Sequence, residues 1–260
     1  MSNAHWPLVF HIPHSSTVIP DSVRPTLMLT EAEVQKELLR ITDAYTDELF
    51  RCDGVSSVRY PISRIVVDPE RFESDADEVM SQVGMGVVYT NTCDGRPLRH
   101  VPTRLEREVL LAAYYRPHHA ALTDAVARAL RDHSRCLVID CHSFPSYPLP
   151  YELDQGLDRP DICVGTDPFH TPAELADQVI DGFLLHGYTV ALNRPFAGAL
   201  VPATFYRRDA NVAALMIEVN RALYMDEWTG ARSNRFDETR AAVAQVLAHT
   251  TQRFPQLRSS

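Results

Sequence analysis

The stretch Cys136-Leu-Val-Ile-Asp140-Cys-His142-Ser143 decides how this chain is read. An unbroken apolar run of this kind is the mark of a strand covered on both faces, and here it stops at two polar groups, Asp140 and His142. Alternate residues of a strand share a face, so these two point the same way. Two further stretches have the same form: Leu8-Val-Phe-His11-Ile-Pro13-His14-Ser15 and Ala213-Ala-Leu-Met-Ile-Glu218-Val-Asn220-Arg221. Three apolar strands thus end in His, His and Glu. In open α/β sheets ligands bind beyond the carboxyl ends of the strands, where these polar groups fall.

Outward from the strands, helices alternate with them. Thr30 and Glu33 make a capping box that opens a helix running to about Arg51, with a core stripe of Val34, Leu38, Ile41, Tyr45 and Leu49. Asp43 and Asp47 then lie one turn apart on another face; like charges at that spacing repel, so a cation nearby is expected. Further strands are predicted over 55–60, 65–67, 161–166 and 189–192. Helices are predicted over 102–115 and 118–133, interrupted or kinked at Arg116-Pro117, and over a terminal segment, 234–253. Thr171-Pro172-Ala173-Glu174 predicts an N-cap at Thr171 and a helix closing at Gly187. Residues 72–101 and 144–160 show no period and are expected to be loops that border the site and become more ordered on substrate binding. The whole pattern predicts a three-layer α/β/α architecture around a mixed, mostly parallel sheet, in one domain over 5–260.

The 260 residues carry 34 acidic and 25 basic side chains, a formal charge of −9. No basic field is available for nucleic acid or an anionic membrane surface, which leaves a small molecule as the expected partner. The five cysteines include no CxxC pair, and no apolar run approaches the 18 or so residues of a membrane span. With no signal-peptide order at the N-terminus, a reducing, cytoplasmic location is expected. Oligomeric state is not written in these features.

Six segments together resemble the N-formylglutamate amidohydrolase family. They are Pro13-His14-Ser15, Thr42-Asp43-Ala-Tyr-Thr-Asp47, Ser63-Arg64-Ile-Val-Val-Asp68-Pro-Glu-Arg71-Phe72, Asp140-Cys-His142-Ser143, Asn193-Arg-Pro-Phe-Ala-Gly198, and Ile217-Glu218-Val-Asn220-Arg221-Ala-Leu-Tyr224-Met-Asp226-Glu227. The resemblance implies a fold similar to the zinc carboxypeptidases, one zinc ion per chain and a glutamate base. It also implies hydrolysis of an N-formyl or other small N-acyl group from an acidic amino acid, giving formate and glutamate in the family's named case. Glu70 stands where related deacylases often carry an amide, which bears on specificity.

On that reading His14, His142 and a carboxylate hold the metal, leaving a position for water. The zinc carboxypeptidases place an acid three residues after the first histidine, but Thr17 stands there, so the carboxylate comes from elsewhere: Asp43 first, Asp47 as the alternative. Glu218 is the general base that the resemblance implies; an unpaired carboxylate is costly to bury at the end of so apolar a strand, so a cation or water partner is expected for it. The competing role for Glu218 is a structural ion pair with Arg221. Asp140 is expected to accept the second ring N–H of a ligand histidine, with His11 and Asp47 in supporting places. Arg64 and Arg71 suit bidentate recognition of a substrate carboxylate, with Asn220, Arg221, Asn193 and Gly198 as further contacts. His119 is expected near the site and His118 at the surface.

Two other functions fit parts of the sequence. Cys141 or Ser143 beside His142 suggests a nucleophilic hydrolase, but adjacent strand residues face opposite ways, which turns Cys141 from the site, and there is no G-x-S-x-G elbow. A protein that binds zinc or carboxylated metabolites without turnover is the third reading.

Overall fold

The computed structural model describes residues 7–254. Six strands form one sheet: β1 (Leu8–Ile12), β2 (Ser56–Arg59), β3 (Cys136–Phe144), β4 (Ile162–Gly165), β5 (Val190–Leu192) and β6 (Val212–Asn220). Their order across the sheet is β2-β1-β3-β6-β4-β5. β2, β1, β3 and β6 run parallel, whereas β4 pairs antiparallel with β6 and parallel with β5. The mixed, mostly parallel sheet predicted from the sequence is therefore present, and the four parallel strands present their carboxyl ends together.

Side-chain alternation divides the molecule into layers. Leu137, Ile139 and Cys141 of β3 join Leu8, Phe10, Ile12, Ala213, Leu215 and Ile217 in one core. That core is covered by α5 (Ala173–Leu185), α6 (Phe236–Arg253) and the short α2 (Thr46–Leu49). On the other face Val9, Val138 and Ala214 pack beneath Leu122, Ala125 and Val126 of α4 (Arg116–His133). His11, Asp140, His142 and Glu218 belong to that second face, because they lie at even spacing from Val9, Val138 and Ala214. Cys141 accordingly lies in the opposite core, its Sγ against the Ile139 carbonyl and its thiol pKa pushed up by burial.

Several predicted elements take a different form. The helix expected to reach Arg51 stops early: α1 (Glu31–Ile41), with its Thr30–Glu33 capping box, gives way at Thr42, and Tyr45 at φ 66° turns the chain before α2. Residues 65–67 form no strand; a turn over 64–66 stands in its place. Across Arg116-Pro117 the chain remains helical: α3 (Arg104–Leu110) passes through a π turn, Leu111–Tyr115, into α4. The wider turn accommodates a proline that cannot donate to the ladder. The N-cap position of α5 is Pro172, because Thr171 sends its hydroxyl to the Ala214 carbonyl instead.

The region 72–101 is irregular yet well packed. Met85, Val87, Tyr89, Cys93 and Leu98 join Val34, Leu38 and Ile41 of α1 in a third core outside the sheet. No helix among the described residues is long and apolar enough to cross a membrane.

Candidate active site

At the carboxyl ends of β1, β3 and β6 a cavity of about 240 Å³ opens, lined by His14, Asp43, Arg64, Glu70, Arg71, His142, Glu218 and Arg221, among others. Phe144, Leu149, Tyr151, Phe196 and Met216 supply its apolar walls. Chain geometry explains the convergence. Pro13 ends β1 and His14 follows in a loop whose carbonyl accepts a hydrogen bond from the Asp43 amide at 3.0 Å. The break after α1 is thus what brings Asp43 to β1. His142 and Glu218 face each other in register on the paired strands β3 and β6.

Three ligand-type atoms gather here. Asp43 Oδ2 lies 3.1 Å from His142 Nδ1 and 3.5 Å from His14 Nδ1. The other nitrogen of each histidine is held by a different buried carboxylate: His14 Nε2 is 2.8 Å from Asp68 Oδ1, and His142 Nε2 is 3.1 Å from Asp140 Oδ1. His14 Nδ1 is buried and makes no hydrogen bond. Two Nδ1 atoms and one carboxylate oxygen, with both outer nitrogens anchored on carboxylates, fit a divalent metal of the zinc type.

The electrostatics favour a cation at this point. Burial opposes ionisation of Asp43, yet the His14 and His142 rings beside it and the nearby Arg221 guanidinium hold its carboxyl far below the usual range. Burial likewise disfavours a charged His142 ring, but Asp140, Asp43 and Glu218 outweigh it and raise its pKa well above that of free histidine. A positive charge is what these carboxylates stabilise, whether proton or metal.

Glu218 has the opposite character. It is 7% exposed, and its Oε2 has no hydrogen-bond partner. Burial pushes its pKa up to about 8; His142 and Arg221 pull it down, while Asp43 and Asp140 add to the rise. No ion pair joins it to Arg221, whose guanidinium is already engaged. Nη2 of Arg221 donates to Asp43 Oδ1 at 2.9 Å, Nη1 to the Arg40 carbonyl and Nε to Ser143 Oγ.

The remaining predicted residues divide by place. Asp140 stands behind His142 and also takes His11 Nδ1 at 2.9 Å. His11 touches Glu70 Oε1 at 3.1 Å as well; burial disfavours its charge, but Asp140 and Glu70 raise its pKa to about 9. His11, Glu70 and Asp140 thus form a second group of ligand-type atoms behind the first.

Arg64 lines the cavity with Nε and Nη2 both committed to Asp68 Oδ2, whereas Nε of Arg71 makes no hydrogen bond and lies 3.8 Å from that oxygen. Asp47 is not at the site: it pairs with Arg59 at 2.5 Å on the surface, since the helix that would have stacked it on Asp43 is broken. Asn220, Asn193 and Gly198 do not line the cavity either. Asn220 caps the turn after β6 through the Ala222 amide, and Asn193 bonds the Thr166 amide. Gly198, at φ 94°, sets its carbonyl against Gly165, where a Cβ would meet it at 2.3 Å. His119 Nε2 holds the Pro69 carbonyl at 3.0 Å, bracing the turn that carries Glu70 and Arg71.

Two participants escaped the sequence reading. Asp68, fully buried, is the hub that joins His14, Arg64 and the Tyr89 hydroxyl. His118, expected at the surface, is 5% exposed and meets His11. Asp68 carried a signal in its position midway between Arg64 and Arg71; His118, on a helix, carried none.

Fold and site together define an α/β protein with a His/Asp/His group and an unpartnered glutamate at the carboxyl edge of its sheet. Residues 6–225 match the sequence profile described as N-formylglutamate amidohydrolase, so the chain belongs to the N-formylglutamate amidohydrolase family. Among solved structures it is similar to an N-formylglutamate amidohydrolase from Ralstonia eutropha JMP134, at 27% identity and a TM-score of 0.81 over 96% of this chain and 93% of that one. It shares its fold with the gene product Atu2144 from Agrobacterium tumefaciens, at 18% identity and a TM-score of 0.66 over 97% and 92% of the two chains. No curated protein matches the sequence.

Proposed function

We propose that this protein is a zinc-dependent amidohydrolase that releases formate, or another small acyl group, from an N-acylated acidic amino acid such as N-formyl-L-glutamate. The observation that carries the reading is the pairing of Glu218 with the His14, Asp43 and His142 group. A carboxylate oxygen without a partner, buried across a strand pair from a metal-type donor set, supports a role in proton transfer. The family supplies the reaction class, and a cavity of about 240 Å³ suits one amino acid rather than a peptide.

His14, Asp43 and His142 would hold one zinc ion, with Asp68 and Asp140 orienting the two rings and Arg221 orienting Asp43. When bound, zinc supplies Lewis acidity, polarising a carbonyl oxygen and acidifying water to a pKa of about 7. Glu218 takes a proton from the water that attacks the formyl carbon. As the new C–O bond forms and the C–N bond breaks, the same carboxyl delivers that proton to the leaving nitrogen. Arg71, which lines the cavity, binds a carboxylate of the amino acid, and the lining residues Phe144, Phe196 and Leu149 exclude water.

The test is formate release from N-formyl-L-glutamate, with N-acetyl-L-glutamate and N-formyl-L-methionine as comparisons, by chelator-treated protein before and after zinc is restored. Turnover that depends on zinc and favours the acidic substrate is expected. Full activity in the chelated protein, or no hydrolysis of any N-acyl amino acid with zinc present, overturns the reading.

A further inference from the structure

Four buried side chains form a continuous series of contacts from the site into α4. His142 Nε2 meets Asp140 Oδ1 at 3.1 Å, that oxygen meets His11 Nδ1 at 2.9 Å, and His11 Nε2 meets His118 Nε2 at 2.8 Å. The other oxygen of Asp140 accepts the Leu200 amide at 3.0 Å. An ionised carboxylate only accepts, so both His142 Nε2 and His11 Nδ1 donate to it. That donation leaves Nδ1 of His142 turned toward Asp43. At the far end two ring nitrogens face each other, and one of them must be without a proton for a hydrogen bond to exist.

We propose that His118 is a positioning residue for the metal centre. It does not line the cavity and is not among the three ligand candidates, yet it fixes the ring of His11. His11 in turn holds Asp140, whose carboxylate sets the plane of His142. The inference rests on the metallohydrolase reading given above. Its rival is simple packing, since the His118 ring also lies edge-on to Tyr60 at 4.9 Å. Packing needs the shape of the side chain; positioning needs its nitrogen.

Two substitutions separate shape from nitrogen. His118→Leu and His118→Gln both remove the ring that faces Tyr60, but only glutamine keeps a polar group that reaches toward His11. Zinc-loaded protein is challenged with a chelator, and the rate of zinc loss is read together with kcat, KM and the thermal midpoint. His118→Leu is expected to lose zinc about tenfold faster and to show a lower kcat, with KM changed by less than about twofold, and His118→Gln to recover most of both. Should His118→Leu not fold, His118→Asn takes its place, its amide being one methylene short. Equal zinc loss and kcat in the leucine variant and the native protein overturn the proposal, as do equal defects in the leucine and glutamine variants. A native protein that takes up no zinc overturns the underlying reading and the proposal with it. A native protein that binds zinc and turns over, beside an unaffected leucine variant, overturns the proposal alone.

Discussion

Asp68 Oδ1 lies 2.8 Å from Nε2 of His14, and this contact decides which ring nitrogen is free for a metal. With Nε2 donating to Asp68, Nδ1 is the acceptor and points at Asp43. Asp68 keeps its charge because Arg64 and His14, together with Arg71, outweigh the burial that opposes ionisation and hold its pKa well below the normal range. Replacing Asp68 by asparagine keeps the shape and removes the charge. Partners in this outer position typically contribute 10–100-fold to metal affinity, so Asp68→Asn should weaken zinc binding by about that factor in a chelator competition. Unchanged zinc affinity would remove Asp68 from the centre.

On a continuous helix Asp43 is the first choice of carboxylate and Asp47 the alternative, and the break at Thr42 separates them. Asp43→Asn should release zinc on dialysis, because the variant loses the charged oxygen that faces both histidines. Asp47→Asn removes an exposed pair with Arg59, worth at most about 1 kcal/mol, and should leave metal content and turnover unchanged. Metal loss in the Asp47 variant alone would reverse the assignment.

The strand-end residues were legible in the sequence because a buried strand has little tolerance for polar groups. Where a run such as Cys136–Ile139 ends in Asp140 and His142, the polarity has a local cause that needs no tertiary knowledge. The direction of β4 was not legible: antiparallel pairing with β6 depends on how the segment between β3 and β4 returns. The break at Asp43 was hidden too. Residues 42–49 have acceptable helix propensity, and the competing structure arises from contacts distant in sequence, the His14 carbonyl on the Asp43 amide and the Gly230 carbonyl on the Tyr45 hydroxyl. His118 was unreadable for the same reason, its partner being 107 residues away.

Glu218→Gln preserves size and removes the base. Because its Oε2 makes no hydrogen bond, the substitution strands no partner, and both metal and fold should persist. Loss of a positioned general base costs roughly 10²–10⁴ in rate, so kcat should fall by about that factor with little change in zinc content. A variant that keeps more than about a tenth of native kcat would exclude Glu218 as the base.

His11 predicts how stability depends on pH. Its pKa rises from 6.5 to about 9 on folding, because Asp140 and Glu70 outweigh the burial that disfavours its charge. The folded chain therefore binds a proton that the unfolded chain releases first. The stabilisation is complete below pH 6.5 and is lost as pH rises through about 9, a change on the order of 3 kcal/mol. Denaturant unfolding of metal-free protein at pH 6 and pH 9 should show this loss in the native chain and a smaller one in His11→Gln. Equal pH dependence in the two would place the proton elsewhere.

Three arginines line the cavity, Arg64, Arg71 and Arg221, and their partners differ. Arg221 is bound on every side to Asp43, Ser143 and the Arg40 carbonyl, and Arg64 directs Nε and Nη2 to Asp68. Arg71 lines the cavity, and among the described residues its guanidinium donates no hydrogen bond and only approaches Asp68, at 3.8 Å, so it has capacity left for a ligand. Contact with a carboxylate remote from the reacting carbon is equally strong in ground and transition states, and its loss appears in KM rather than kcat. Arg71→Ala should therefore raise KM for N-formyl-L-glutamate at nearly constant kcat. A charge-assisted hydrogen bond worth about 1.5–3 kcal/mol corresponds to a rise of roughly 10–150-fold. Arg221→Ala should act differently, lowering zinc content and kcat together, because it frees Asp43 from the orientation that faces the histidines. If Arg71→Ala instead lowers kcat with KM unchanged, the substrate carboxylate lies elsewhere and Arg71 serves Asp68.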